Sequence, residues 1–258
     1  MKRKLDFTTI ALIRVGKYEN RLSVLAVLLG ALSFLPVMNA AELISNGGFE
    51  TGTFASWTTN VQAGGSGGWF IQTGTGSPLN GFTVPAPPEG NFASMTDQSN
   101  LSSHVLIQDF TVPLGATSVI LSFQLFYSNQ AGDFSTPNSL DFGVVPNQQF
   151  RADILALGSG DFDCCGVIYN AYRTEPGDPR VNGYNPILRN ITAFVTPGST
   201  YRLRFAEVDN QFFFAAAVDA VSINATGTAP VPEPASMFLM GAGVLAFGLR
   251  RFALARRR

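Results

Sequence analysis

Between residues 41 and 229 the chain shows no run with helical spacing. It shows short stretches of alternating apolar and polar residues, broken by clusters of Gly, Pro, Asn, Ser and Thr. In Val119-Ile120-Leu121-Ser122-Phe123-Gln124-Leu125-Phe126-Tyr127 every odd position is apolar, and Ser122 and Gln124 fall on the other face. Phe150–Ile154 and Tyr201–Phe205 alternate in the same way, the latter with Arg202 and Arg204 together on the outward face. A period of two is the signature of a strand with one buried face. Many short strands separated by turn residues make an all-β sandwich or barrel. Further strands are expected at His104–Val112, Ile187–Val195 and Phe212–Ile223. Loops are expected at Gly64–Gly68, Gly74–Gly90 and Asp133–Pro146, with a long one at Gly158–Gly183. A loop of that last length inside a compact domain is either functional or mobile.

Charge divides the chain into three. The 258 residues carry a formal net charge of −1, yet residues 41–229 hold six Arg, no Lys and fifteen acids, a net −9. The two ends are basic. Nucleic acid is excluded as a partner of the body, because phosphate binding needs clustered cations on the folded domain. The basic ends read as targeting segments. Residues 1–40 have a basic stretch ending at Arg21, an apolar run over Leu22–Leu35 and a small-residue site at Asn39-Ala40-Ala41. This is the pattern of a secretory signal peptide, forming a signal helix and cut after Ala40; the apolar run is short of the roughly 20 residues of a spanning helix. At the other end, Val231-Pro232-Glu233-Pro234 precedes an apolar run over Met237–Leu249 and the closing arginines Arg250, Arg251 and Arg256–Arg258. Such a run crosses a bilayer as a short transmembrane helix only with snorkelling from its arginines, and the basic tail supplies positive-inside retention. Pro232 and Pro234 keep the motif extended and accessible.

The order of Pro-Glu-Pro motif, short apolar helix and Arg-rich end over residues 231–258 resembles the PEP-CTERM sorting signal of exopolysaccharide-producing Gram-negative bacteria. The resemblance implies an exosortase-type processing enzyme as partner. It also implies passage through the inner membrane and delivery to the cell surface or extracellular matrix. The domain plan is then a signal peptide (1–40), a body (41–224), a linker (225–230) and the sorting signal (231–258).

The body opens with Leu43-Ile44-Ser45-Asn46-Gly47-Gly48-Phe49-Glu50-Thr51-Gly52 and Trp57, and closes with Leu203-Arg204-Phe205, Asp209 and Val218–Ile223. These ends resemble galactose-binding-like jelly rolls, a group that includes carbohydrate-binding modules. The resemblance implies a jelly-roll β-sandwich whose first and last strands are neighbours. It also implies a structural Ca²⁺ held by Glu50 and Asp219, with Asn46 and Thr51 contributing from the same segment; hard oxygen ligands are what Ca²⁺ takes. This chain has Asp219-Ala220 where a second acid or an Asn is more usual. The alternative is that Glu50 caps a turn and Asp219 pairs with Arg202 or Arg204.

Extracellular polysaccharide is the expected ligand, because sugars bind flat aromatic faces beside amides, carboxylates or Arg. The candidates are Trp69, Tyr127, Tyr169 and Tyr172; Trp57, so near the opening segment, belongs to the core. If Phe212–Phe214 is a strand with one buried face, at least one ring is exposed and available for protein contacts. An adhesive surface protein without sugar affinity is therefore the rival reading. Cys164 and Cys165 are adjacent, and three states stay open for them: a vicinal disulfide, two free thiols, or pairing with another molecule. No catalytic residue is assigned. His104 is the sole histidine and is expected half-exposed on a strand, no nucleophile elbow exists, and no spacing selects a pair of glycosidase carboxylates.

Overall fold

A computed structural model of the chain describes residues 38–228. Eleven strands form two antiparallel sheets, joined by turns and by one short 3-10 turn at Thr192–Phe194. The strands are β1 (Met38–Glu42), β2 (Thr58–Val61), β3 (Gly68–Thr73), β4 (Phe92–Asp97), β5 (Ser102–Thr111) and β6 (Ala116–Asn129). They continue with β7 (Gln148–Ala156), β8 (Val167–Arg173), β9 (Val181–Asn190), β10 (Thr200–Asp209) and β11 (Phe214–Thr228). One sheet has the order β3-β4-β11-β6-β9, with β1 also on β11; the other is β2-β5-β10-β7-β8. The fold is a jelly-roll β-sandwich.

β11 organises the first sheet. β6 pairs with it along one edge from Phe214 to Gly227. The other edge is shared end to end: β4 meets it at Ala217 and Val218, and β1 meets it from Asn224 to Thr228. Between them β11 bulges at Asp219–Ser222, where Ala220 has φ 49°. The chain after β1 closes this gap, Leu43 donating to Ile223 O and Val221 donating to Gly47 O. A Cβ at Gly47 would lie 1.8 Å from Val221 O, so only glycine permits the approach.

The odd positions of β6, Val119 to Tyr127, all point into the core, where they meet Leu106, Phe150, Leu203 and Phe205 of the facing sheet. Phe205 is the aromatic hub. Its ring lies 5.0 Å from Phe123, 6.2 Å from Trp57 and 6.3 Å from Phe150. Trp57 is buried, as its place beside the opening segment predicts.

Several boundaries differ from the sequence expectation. Gly158–Gly183 is not one long loop, since it contains β8 and the start of β9. Both are edge strands, with exposed residues alternating with half-buried ones, so their apolar pattern is weak. β9 also begins and ends earlier than expected, and it holds Pro186 opposite Gln124; only an edge strand tolerates that missing donor. β11 starts at Phe214 rather than Phe212 and runs to Thr228. Residues 225–228 are therefore paired strand, not linker. β1 starts at Met38, so the expected cut after Ala40 falls inside a strand. The expected signal helix, the short transmembrane helix and the sorting motif Val231–Pro234 lie outside the described residues.

Replacing Phe205 by Ala removes a ring that touches three others in a closed core. Urea unfolding should show a loss of about 3–5 kcal/mol, with the urea dependence unchanged.

Candidate functional site

The outer face of the second sheet is where polar side chains collect. In the register of β10 with β5 and β7, Arg202, Arg204, Ala206 and Val208 share that face with Ile107, Asp109, Arg151 and Asp153. Arg202 and Arg204 do lie on one face, as their alternation predicts, but the face is not open. Leu140 and Phe142, from the loop between β6 and β7, pack on Val105, Ile107, Ala206 and Val208 together with Phe162 from the loop between β7 and β8. Arg204 is fully buried beneath the second loop. Its Nη2 donates to Asp153 Oδ2 at 2.7 Å, and its Nη1 donates to the carbonyls of Asp161 and Asp163 at 2.9 and 2.8 Å.

What these loops leave open is a groove of about 390 Å³ at the β2–β5–β10 end of the face. Ile107 and Leu43 give it an apolar surface; Ser45, Ser56, Thr58 and Gln108 give it hydroxyls and an amide; Asp109 and Arg202 give it charge. The charged pair is a fork, with Arg202 Nε donating to Asp109 Oδ1 at 2.7 Å and Nη2 to Oδ2 at 3.3 Å. Nη1 reaches Asp161 Oδ1 at 3.1 Å. The hydrogen bond to Asp109 raises the Arg202 pKa, so its charge is fixed. Gln108 is held from both ends, its Oε1 accepting from Ser45 N at 2.7 Å and its Nε2 donating to Ser45 O at 3.0 Å. Planar, pre-positioned donors and acceptors of this kind suit paired hydroxyl groups. No sequence motif marks the groove, because its lining comes from four separate segments.

The residues expected to hold Ca²⁺ divide into two pairs. Glu50 and Asp219 converge on the bulge of β11, together with Glu89. A Cβ built on Gly48 would lie 3.8 Å from Glu50 Cγ, 3.9 Å from Asp219 Oδ1 and 4.0 Å from Glu89 Cδ. Glu50 accepts from the amides of Asn91 and Phe92 at 3.0 Å, against Gly90, where a Cβ would overlap the carboxylate. Asp219 accepts from Ala220 N at 2.7 Å and Glu89 N at 3.3 Å. Burial, with the charges of Glu89 and Glu50, pushes the Asp219 carboxyl up to about 7. Asn46 and Thr51 turn elsewhere. Thr51 Oγ1 donates to Asn46 Oδ1 at 3.2 Å, and Asn46 Nδ2 donates to the carbonyls of Thr53 and Ala55. Among the described residues no arginine pairs with Asp219; Arg202 and Arg204 are taken by Asp109, Asp161 and Asp153. Among the described residues no group of three or more His, Cys, Asp or Glu forms a metal cluster. Sequence reading missed Glu89, which sits in a Pro-rich loop 130 residues from Asp219 and has no local signature.

The aromatic candidates lie in the core or pack against it. Trp69 is the second residue of β3, opposite Thr96, and is buried, although it follows a Gly-rich loop. Tyr127 is an inward position of β6, packed edge-on against Phe134 and Phe214. Tyr172 packs on the core and on Phe150, and Tyr169 is half-buried with one face stacked on Phe194 at 4.1 Å. Phe194 is itself exposed, and the most exposed aromatics among the described residues are Phe212 at 65% and Phe82 at 54%, Phe82 meeting Phe213 edge-on at 4.9 Å. Cys164, half-buried, and Cys165, exposed, are not bonded to each other in this structure.

His104 is wholly buried, not half-exposed. Its Nε2 lies 2.7 Å from Ser66 O, a pure acceptor, so Nε2 carries a hydrogen. Its Nδ1 lies 2.6 Å from Glu207 Oε2, and the two groups share one proton. Burial lowers the His104 pKa and raises that of Glu207 well above the carboxylate range. Asp209, next along the strand face, accepts from Ser102 N and Gln98 Nε2; burial and then the Glu207 charge push it up to about 9. The cluster is closed to solvent and joins the two sheets through Ser66 and Gln98.

Residues 230–251 match the PEP-CTERM protein-sorting motif. The chain therefore carries a C-terminal sorting signal of exported proteins. No curated protein matches the chain. Among solved structures similar to it is the K3 cleaved adhesin domain of Lys-gingipain from Porphyromonas gingivalis W83, 16% identical over 72% of this chain and 99% of that one, with a TM-score of 0.45. Another is the module TmCBM61 in complex with β-1,4-galactotriose, 12% identical over 71% and 97% of the two chains, with a TM-score of 0.42. A Stig cyclase from Fischerella sp. TAU is also similar, 14% identical over 74% and 100%, with a TM-score of 0.43.

The buried carboxyls set the pH dependence of stability. Asp209 and Asp219 are both raised, so the folded state binds their protons more tightly than the unfolded chain does. Their stabilisation is complete below about pH 4 and is lost as pH rises through about 7 for Asp219 and about 9 for Asp209. In melts from pH 5 to 9, Asp209→Asn should flatten the decline in Tm. An unchanged slope would show that Asp209 is ionised in the fold.

Proposed function

We propose that the protein is an exported, non-catalytic module that binds a neutral extracellular polysaccharide in the β2–β5–β10 groove. In this reading an exosortase-type enzyme processes the sorting signal at the inner membrane of a Gram-negative cell, and the body is delivered to the surface or matrix. The observation that carries the binding assignment is the Asp109–Arg202 fork fixed beside Thr58, Ser45 and Gln108 in an open groove. The body's net charge of −9 repels acidic polysaccharide, so a neutral glycan is favoured, or an acidic one bridged by Ca²⁺. On a glycan array the protein should bind a neutral polymer. Asp109→Asn or Arg202→Met should weaken binding about ten-fold or more, the worth of one charge-assisted hydrogen bond. No binding to any glycan, with or without Ca²⁺, sinks the assignment.

The exposed Phe82 and Phe212, with the half-buried Phe213 against Phe82, favour a second reading, an adhesive surface protein that works through protein contacts. Loss of glycan binding alongside retained cell adhesion, abolished by Phe212→Ser, would select it.

The convergence of Glu50, Glu89 and Asp219 supports a structural Ca²⁺ at the β11 bulge. The three carboxylates approach one another without forming a cluster as they stand, and a bound ion would draw them together, offset their mutual repulsion and tie the opening segment to the last strand. Saturating Ca²⁺ should raise Tm and EDTA should reverse it, the shift growing with concentration as for any ligand of the folded state. Asp219→Asn should abolish the shift. A Tm indifferent to Ca²⁺ overturns the site.

A further inference from the structure

The body holds six Arg against fifteen acids, yet three of the six stand together on the outer face of the second sheet. Arg204 of β10 lies opposite Asp153 of β7. Two residues along, Arg151 of β7 lies between Ala206 of β10 and Arg173 of β8. Arg173, on the edge strand, is paired with Glu175 at 2.6 Å. The other two are buried, with 4% and 0% of their side chains exposed, and they share one carboxylate. Arg151 Nη2 donates to Asp153 Oδ1 at 3.1 Å, and Arg204 Nη2 donates to Asp153 Oδ2 at 2.7 Å. The acids of the covering loop do not make up the difference. Asp161 is bound by Arg202 and Asn60, and Asp163 gives Arg204 only its carbonyl.

Two buried guanidinium charges thus face one buried carboxylate, and donors are left over. Nε and Nη1 of Arg151 and Nε of Arg204 are closed to solvent and have no hydrogen-bond partner among the described residues. A guanidinium does not shed its proton in a protein, so deprotonation offers no relief. A buried charge without its counter-charge is strongly destabilising. Burial also limits what can supply the missing negative charge. Leu140, Phe142 and Phe162 from the two covering loops pack on the cluster that contains Ala206, the β10 neighbour of Arg151. That cover leaves no path for a sugar, a nucleotide or a peptide carboxylate, and a single-atom anion needs the least room.

We propose that the outer face of the second sheet holds a buried halide ion, chloride in ordinary media, on the free N–H groups of Arg151 beside Arg204. The ion balances the charge beneath the two loops, so their closure depends on the anion present. Gln149 Oε1, on the next outward residue of β7, is also buried without a partner. A water molecule bridging it to Arg151 is the competing occupant, and a water is indifferent to which anion is in solution. The inference rests neither on export nor on glycan binding.

The test starts from the full chain free of halide in potassium gluconate, whose anion is too large for the site. Potassium chloride or bromide then replaces gluconate at constant ionic strength. Tm should rise by about 3–5 °C for each tenfold of halide beyond half-saturation. Arg151→Met should remove the rise. In crystals grown with bromide, an anomalous peak should lie at Nε or Nη1 of Arg151. A Tm that is the same in halide and gluconate overturns the proposal and leaves water as the occupant. So does an Arg151→Met chain that keeps the rise, or bromide found only at the surface. If Arg151→Met does not fold, the salt comparison and the bromide peak of the unaltered chain decide by themselves.

Discussion

The fold depends on how β11 is flanked. One strand offers two edges; β6 fills one apart from the bulge, and β4 and β1 divide the other. Division leaves a stretch of backbone that neither partner satisfies. The segment after β1 fills it, with Gly47 admitting the close approach and Glu42 accepting from the amides of Ile44 and Ile223 at 2.9 Å. The first and last strands are thereby fastened by main-chain and carboxylate bonds at once. The carboxylates of Glu50, Glu89 and Asp219 gather at the same gap because it is where three chain segments meet.

The second sheet solves a different problem. A jelly-roll face can stay open to solvent, yet here two loops lie over most of it and bury charged side chains. Burial of an ion is costly unless it is paired and hydrogen-bonded. Arg204 meets this through its two terminal nitrogens, which take Asp153 and two loop carbonyls while Nε stays unpaired, and the same bonds hold the loop in place. The polar interior of this face therefore acts as a clamp on its own cover, and the groove is the part the cover does not reach. On the inner face, His104, Glu207 and Asp209 make a comparable polar joint, in which protonation rather than an opposite charge removes the penalty.

What could be read beforehand follows from where each signal resides. β6 was legible because its odd positions are apolar throughout while Ser122 and Gln124 mark the other face, and β5, β7 and β10 came close for the same reason. β8 and β9 were not, because edge strands exposed on alternate residues lack the contrast, and Pro186 argues against a strand. The meeting of Glu50 with Asp219 was legible only through the resemblance of the chain's two ends to a known family; Glu89 belongs to neither end. The burial of His104 could not be foreseen, since its partner lies 103 residues away on another strand. Trp69 and Tyr127 were misplaced because a flat ring suits a core as well as a sugar, and composition does not distinguish the two. The groove lies across strands adjacent in space and distant in sequence, so no spacing could announce it.

One consequence concerns mechanics. β11 begins at Phe214, beside the exposed Phe212, and ends at Thr228, just before residue 230, where the sorting motif starts. At roughly 3.3 Å per residue its length is about 45 Å. Anything that holds the chain beyond this point pulls along the axis of its longest strand. That strand is bonded sideways to three others, so the load is shared in shear across whole ladders rather than opened one hydrogen bond at a time. The aromatic cluster lies at the far end of this rod.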